Sequence, residues 1–232
     1  MQMEIYGLQK LTLLDYPGLV ACTIFTGGCN FRCPFCHNSS LVTGLKQNTP
    51  IPITEIEHFL ERRSKVLDGV CVSGGEPLLQ PDLADFLSYV KALGYHIKLD
   101  TNGSYPARLE ALLQAGLLDY IAMDVKNDLP HYAETAGLSL VDIGAIQSSI
   151  QLIRESGLAH EFRTTIVKGL HTPERIANIS RMLGPEEGYF LQSFVDSGQL
   201  IDASCQGCSR EEMMELLAAA RESSPKAELR GI

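Results

Sequence analysis

Several absences narrow what this chain of 232 residues can do. It has no surplus of basic residues: 19 Lys and Arg stand against 28 Asp and Glu, a formal charge of −9. No long basic run interrupts that balance, which argues against a nucleic-acid polymer as substrate. No uninterrupted apolar stretch approaches the roughly 20 residues that a membrane-spanning helix needs. The start, Met1-Gln2-Met3-Glu4, lacks the basic region and apolar core of a signal peptide. Low-complexity tracts and strong internal repeats are missing too. What is present is an ordinary globular composition, 45% hydrophobic with a mean hydropathy near zero. That is enough apolar material for one ample domain. The organisation expected is a single domain over 1–232, with an N-terminal extension at 1–18, a core at 19–200 and a C-terminal loop and helix at 201–232. Seven cysteines, an odd number with three tightly clustered, point to a reducing cytoplasm and metal binding rather than a disulfide framework.

The cluster is Cys29-Asn30-Phe31-Arg32-Cys33-Pro34-Phe35-Cys36-His37, in which the cysteines are offset by four and then three residues. Gly27-Gly28 precede it, so the backbone can wrap tightly there. Thiolates are the usual ligands of iron–sulfur clusters, and a [4Fe–4S] cluster normally takes four. Three on one loop leave one iron without a protein ligand, and an open position is where a metal does chemistry. Two other readings stand beside this one. A structural zinc site would need a further ligand: His37 adjoins Cys36 too closely for easy shared coordination, whereas Cys205-x-x-Cys208 could complete such a site. The thiols could also be free and buried.

Strand and helix signals alternate along the rest of the chain. Residues 3–12 form a short leading strand ended by the turn Asp15-Tyr16-Pro17-Gly18. The run 19–25 is a buried strand that feeds the cysteine loop. Thr54-x-x-Glu57 is a capping box that places a helix start at Thr54. Further strands are expected at 69–73, 95–99, 120–123, 162–167 and 189–194. Helices are expected after Pro81, over 106–115, from Ile143 and from Thr172-Pro173, with stops at Gly94, Gly116 and Gly157. Ser209-x-x-Glu212 caps a last helix. Six strand–helix units imply a parallel sheet. The polar motifs all fall at strand C-terminal ends, and convergence on one face is barrel behaviour. Six units are too few for a closed eightfold barrel, so the fold expected is α/β, a partial (β/α)6 TIM-like barrel open on one side.

Those strand-end motifs are Gly74-Gly75-Glu76-Pro77, Asp100-Thr101-Asn102-Gly103 and Asp124-Val125-Lys126. Paired glycines expose bare backbone to a ligand, although most such pairs are simply turns. Glu76 could bind or could brace its loop. The second motif could be an Asx-type turn and the third a solvated strand end. Arg163 on the fifth strand could face a ligand or serve a rim ion pair. Cys205 and Cys208 read as incidental thiols before a helix, with a second metal site or a redox pair as alternatives. Cys22 and Cys71 read as core residues. His58, His96, His131, His160 and His171 have no ligand-like spacing.

The spacing C-x3-C-x2-C, with Phe35 before the last cysteine, resembles the signature of radical S-adenosylmethionine (SAM) enzymes, and Gly74-Gly75-Glu76-Pro77 is similar to their GGEP motif. The resemblance implies the partial barrel and a [4Fe–4S] cluster on Cys29, Cys33 and Cys36. SAM would chelate the open iron and be cleaved reductively to a 5′-deoxyadenosyl radical. Asp-Thr-Asn-Gly and Asp-x-Lys, with the Cys36-His37-Asn38 ending, resemble segments of the activases of glycyl radical enzymes. The stretch from Gly7 to Gly18 and then from Thr26 to Asn38 is most like the anaerobic ribonucleoside-triphosphate reductase activating proteins. By that resemblance Phe35, His37, Gly74, Gly75, Glu76, Pro77, Asp100, Asn102, Lys126, Arg163 and Gln192 are candidates for binding SAM. Asp100, Thr101, Asp124 and the Val125 carbonyl are candidate ligands of a monovalent cation. One departure is the segment Leu191-Gln192-Ser193-Phe194-Val195, which has no histidine where formate-lyase activases contact the SAM ribose; Gln192 is the candidate substitute. No eight-cysteine insert occurs, so a single cluster is expected. The implied partners are a glycyl radical enzyme as protein substrate and a flavodoxin- or ferredoxin-like electron donor. A docking loop of the enzyme would be guided by Arg32, Lys126, Arg163 and Lys168. The alternatives are a radical SAM enzyme acting on a small molecule, such as a 7-carboxy-7-deazaguanine synthase-like reaction, and a non-catalytic metal-binding protein.

Overall fold

A computed structural model describes residues 3–196, 198 and 200–231; the outermost residues of the expected domain, Met1, Gln2 and Ile232, lie outside it. Its eight strands form one sheet in chain order. Strand β1 (Ile5–Thr12) runs antiparallel to β2 (Ala21–Thr26). From β2 onward every neighbour is parallel: β3 (Gly69–Gly74), β4 (His96–Thr101), β5 (Tyr120–Asp124), β6 (Ala159–Ile166), β7 (Tyr189–Ser193) and β8 (Glu228–Arg230). Because parallel neighbours need crossovers, helices join them. These are α1 (Ser39–Val42) with α2 (Ile53–Arg63), then α3 (Leu83–Ala92), α4 (Pro106–Gln114), α5 (Tyr132–Thr135) with α6 (Ile143–Glu155), α7 (Pro173–Leu183) and α8 (Arg210–Arg221). Edges β1 and β8 leave the sheet open, which gives the partial barrel.

The alternation of each strand sorts its side chains into two layers. Val70 and Val72, Ile97 and Leu99, Ile121 and Met123, and Phe162 pack with Leu60, Phe86, Leu87, Leu109 and Ile146 from the helices in one buried core. The opposite parity is polar. Lys98, Tyr120 and Glu161 sit on the other face, where Tyr120 donates to Glu161 at 3.2 Å and Arg230 pairs with Glu161 at 2.6 Å. A buried inner layer of this composition is held by mutual hydrogen bonds rather than by apolar packing.

The capping rules succeed at α7 and α8. The Thr172 hydroxyl accepts from the Arg175 amide, and Ser209 and Glu212 form both halves of a capping box. At α2 the expectation fails: the helix starts at Ile53 with Pro52 at the cap position and no side-chain cap bond. Pro52 fixes the backbone one step earlier, which leaves Thr54 inside the first turn. Strand β6 begins at Ala159, earlier than its apolar run suggests, and β4 and β5 extend to the polar residues Thr101 and Asp124. Strand β8 has no counterpart in the sequence reading. Its three residues carry no apolar run, and the strand exists because the β7 edge supplies a partner from Phe190 to Gln192.

Candidate functional site

The cysteine loop leaves β2 at Thr26 and is tied down from several directions. Gly28 donates its amide to the Leu41 carbonyl at 2.8 Å, and Arg32 donates its amide to the Ala136 carbonyl at 2.8 Å. The Asn38 side chain donates to the Gly74 carbonyl at 3.0 Å, and the Asp202 amide donates to the Pro34 carbonyl at 2.9 Å. Phe31 and Phe35 are buried anchors, and Phe31 meets the Tyr132 ring edge-on at 6.4 Å. These contacts place Cys29, Cys33 and Cys36 on the wall of one cavity of about 230 Å³. Burial pushes the Cys29 thiol up to about 11 and the Cys33 thiol up to about 12, and raises Cys36 as well. Near neutrality such thiols keep their protons unless a metal displaces them. Among the described residues no three Cys, His, Asp or Glu side chains gather into a cage for a metal ion. A single zinc needs four ligands drawn to about 2.0–2.3 Å. Three soft donors facing a shared cavity suit instead a larger group with several metal atoms, an iron–sulfur cluster. Cys205 and Cys208 are free, partly buried, and do not line this cavity.

The facing wall is the end of β3. A Cβ at Gly75 would lie 1.9 Å from the Gly28 carbonyl oxygen, and one at Gly74 (φ +114°) would lie 2.4 Å from the Thr26 amide nitrogen. The two glycines are therefore required by the chain itself: they let β3 and the cysteine loop approach, closed by Gly75 N–H to Thr26 at 2.9 Å and Glu76 N–H to Gly28 at 2.8 Å. Glu76 turns away from the cavity and is completely buried. Its carboxylate accepts from the Thr101 hydroxyl at 2.8 Å, the Asn102 amide at 2.7 Å and the Leu78 amide at 3.1 Å. It thus ties the end of β3 to the end of β4, the bracing role. Burial raises its pKa to about 7 against the pull of these bonds. Pro77 starts a buried single turn, and neither it nor Glu76 lines the cavity.

The floor is ionic. Arg163 reaches Asp124 at 2.9 Å, Asp100 at 3.5 Å and Glu161 at 3.7 Å, and Lys126 pairs with Asp124 at 3.1 Å. Burial alone would raise both aspartates, but Arg163 with Lys98 at Asp100, and Arg163 with Lys126 at Asp124, hold both carboxyls below their ordinary value. The same carboxylates, overcoming burial, keep Lys126 and Arg163 firmly charged. Beside Cys29, the Asn102 side chain donates to Asn30 at 2.9 Å and accepts from Ser104. His37 stacks on Phe194 at 5.5 Å and, like Gln192 and Thr101, faces the cavity. The Val125 carbonyl does not; it accepts from the Thr164 hydroxyl at 2.8 Å. Lys168 stands apart, half exposed and paired with Glu212. The sequence reading missed Lys98 and Glu161, whose signal was the inward parity they share with Asp100 and Arg163. Ser73 and Thr165, which also line the cavity, carry the same signal and were missed too. Arg230 had no signal, because no strand is expected around it.

Comparison with known proteins agrees with this arrangement. A family model described as the radical SAM superfamily matches residues 23–183. A protein of Methanocaldococcus jannaschii, provisionally named a glycyl-radical enzyme activating enzyme, is 32% identical over 200 residues, 84% of this chain and 81% of its own. The pyruvate formate-lyase-activating enzyme of Listeria monocytogenes is 31% identical over 55% of this chain; the match spans about half of that enzyme, 54%. Among solved structures, Streptococcus suis SuiB bound to its precursor peptide SuiA superposes with a TM-score of 0.68 at 15% identity, over 90% of this chain and 48% of that one. TYW1 with a lysine-pyruvate adduct gives 0.60 at 15% identity, over 88% and 74%. At such identities the likeness is one of fold.

Proposed function

We propose that this chain, which belongs to the radical SAM superfamily, acts as a single-unit activase that removes a hydrogen atom from a glycine of a partner enzyme. The anaerobic ribonucleotide reductase or a related glycyl radical enzyme is the partner of this reading. One observation carries it: three thiols, the bare backbone of Gly74-Gly75 and a cationic floor of Lys126 and Arg163 surround the same cavity. Cys29, Cys33 and Cys36 would hold a [4Fe–4S] cluster, which when bound and reduced would supply the electron for cleavage of SAM to methionine and a 5′-deoxyadenosyl radical. The chain's own groups bind and orient. Lys126 and Arg163, kept charged by Asp100 and Asp124, face the carboxylate of the methionine end. Asn102 and Gln192 offer further polar groups on the cavity wall. His37, stacked on Phe194, and the buried Phe31 and Phe35 wall the thiols off from water, which protects radical chemistry.

The cavity is far too small for a folded domain. A glycine Cα must nevertheless come within contact distance of the carbon radical. The partner must therefore present a loop, which enters the open mouth beside Arg163 and the ends of β6 and β7. Arg32 on the cysteine loop, exposed and bonded to the Phe31 carbonyl at 2.7 Å, adds a positive charge for charge complementarity with the entering loop. A flavodoxin- or ferredoxin-like protein serves as electron donor, and a reducing cytoplasm as location, consistent with seven free cysteines. No helix among the described residues is long and apolar enough to cross a membrane. The test is to mix the reduced, reconstituted protein and SAM anaerobically with the partner and record its paramagnetic resonance spectrum. A doublet split by one glycine α-hydrogen, lost when that glycine is changed to Ala, supports the reading. Deoxyadenosine release driven by a small molecule, with no radical on the protein partner, refutes it in favour of small-molecule chemistry.

A further inference from the structure

Each of the four groups that resemblance nominates as ligands of a monovalent cation already has a partner within the chain. Asp124 gives one carboxylate oxygen to Arg163 at 2.9 Å and the other to Lys126 at 3.1 Å. Asp100 gives one oxygen to Arg163 at 3.5 Å and the other to the Lys98 ammonium. The Thr101 hydroxyl donates to Glu76 and accepts from the Gly103 amide at 3.1 Å. The Val125 carbonyl accepts from Thr164. Hard cations are held by oxygen atoms free to point inward, and this set does not fit one.

Lys98 explains why none is needed. It stands two residues before Asp100 on β4, so both side chains leave the same face of the strand. Its side chain is only 1% exposed, and its ammonium lies 3.8 Å from the Cys71 sulfur and 5.8 Å from the centroid of the Tyr120 ring. A charge so deeply placed requires a carboxylate partner, and the carboxylate it touches is Asp100. With Lys126, Arg163 and Arg230 it makes four cations that face three carboxylates, Asp100, Asp124 and Glu161. Before SAM brings its carboxylate these seven groups sum to one positive charge, so a metal cation there would add like charge where screening is weak.

We propose that Lys98 supplies, from within the chain, the positive charge at Asp100, and that no monovalent metal cation binds between Asp100 and Asp124. Lys98 is a positioning residue: by pairing with Asp100 it relieves Arg163 of sole responsibility for that carboxylate, and Arg163 lies closer to Asp124, at 2.9 Å, than to Asp100, at 3.5 Å. The SAM arm of the test rests on the function proposed above; the melting arm does not. The reconstituted protein is melted in potassium, sodium and choline chloride at equal ionic strength, and SAM affinity is measured by equilibrium dialysis in each. The wild-type melting temperature is expected to agree within about 1 °C across the three salts. SAM affinity is expected to stay within about twofold. A saturable rise in melting temperature specific to potassium or sodium overturns the proposal, whatever SAM does. Lys98→Met is expected to bind SAM about tenfold more weakly in choline and to recover in potassium or ammonium. Equal affinity of Lys98→Met and wild type in choline, or a loss that neither cation rescues, overturns the charge-supplying role. If Lys98→Met does not fold, the wild-type salts decide alone. Failure of SAM to bind in any salt refutes the proposed function, while the melting arm still decides this inference.

Discussion

Glu76 ought to make this protein less stable as the pH rises through neutrality, which is opposite to the usual behaviour of a buried, hydrogen-bonded carboxylate. Its pKa stands at about 7 in the folded chain against an ordinary 4.5, because desolvation outweighs the three bonds it accepts. Between those values the folded state holds a proton that the unfolded state has released, so folding is favoured at low pH and loses that advantage as the carboxylate ionises. The gap corresponds to about 3 kcal/mol at full ionisation, lost progressively between about pH 4.5 and 7. Glu76→Gln removes the titration but leaves an amide facing the Asn102 N–H, a local cost of about 1–3 kcal/mol that does not vary with pH. The assay is urea unfolding of wild type and Glu76→Gln at half-unit steps from pH 4.5 to 8. Other titrating groups cancel in the difference, including the buried His171, whose lowered pKa acts in the opposite sense. The stability of wild type relative to the variant is expected to fall by about 3 kcal/mol across the window. Parallel curves would show that Glu76 ionises normally and that the brace between β3 and β4 is a conventional carboxylate.

Alanine at Cys29, Cys33 or Cys36 is expected to abolish cluster loading, read as iron and sulfide content, whereas Cys205→Ser and Cys208→Ser should retain about four irons. In Gly75→Val the added Cβ strikes the Gly28 carbonyl beside Cys29, at a position that also lines the cavity proposed for SAM. The variant should therefore lose iron as well as SAM affinity, and normal iron content would contradict the close approach of β3 to the cysteine loop. Arg163→Met leaves Asp100, Asp124 and Glu161 short of their shared cation; a destabilisation of about 3–5 kcal/mol by denaturant unfolding is expected, partly relieved when Asp124 is changed to Asn as well.

Sequence alone determined what is decided within a few residues. The cysteine spacing is a property of one loop. The caps at Thr172 and Ser209 and the helix stops at Gly94, Gly116 and Gly157 depend on hydrogen bonds and dihedrals inside a single turn, and they emerge as the pattern predicts. The six strand–helix units follow from periodicity, and the parallel sheet follows from them. Tertiary structure decided which of those local options survive where partners lie far apart in the chain. The strand β8 forms only against β7, and its Arg230 finds Glu161, 69 residues away. Glu76 becomes a brace rather than a cavity group because Thr101 and Asn102, 25 and 26 residues on, turn their donors to it. Gly74 and Gly75 prove necessary because another backbone passes within contact distance, a fact that no pattern of glycines records. Lys98 sits in an apolar run and reads as an exception there; only the curvature of the sheet, which sends its side chain inward with Asp100 and Arg163, turns it into part of the site. The physical reason is common to all four. Desolvation and charge pairing are set by every group within a few ångströms, and in a parallel sheet those groups come from strands separated by whole helices.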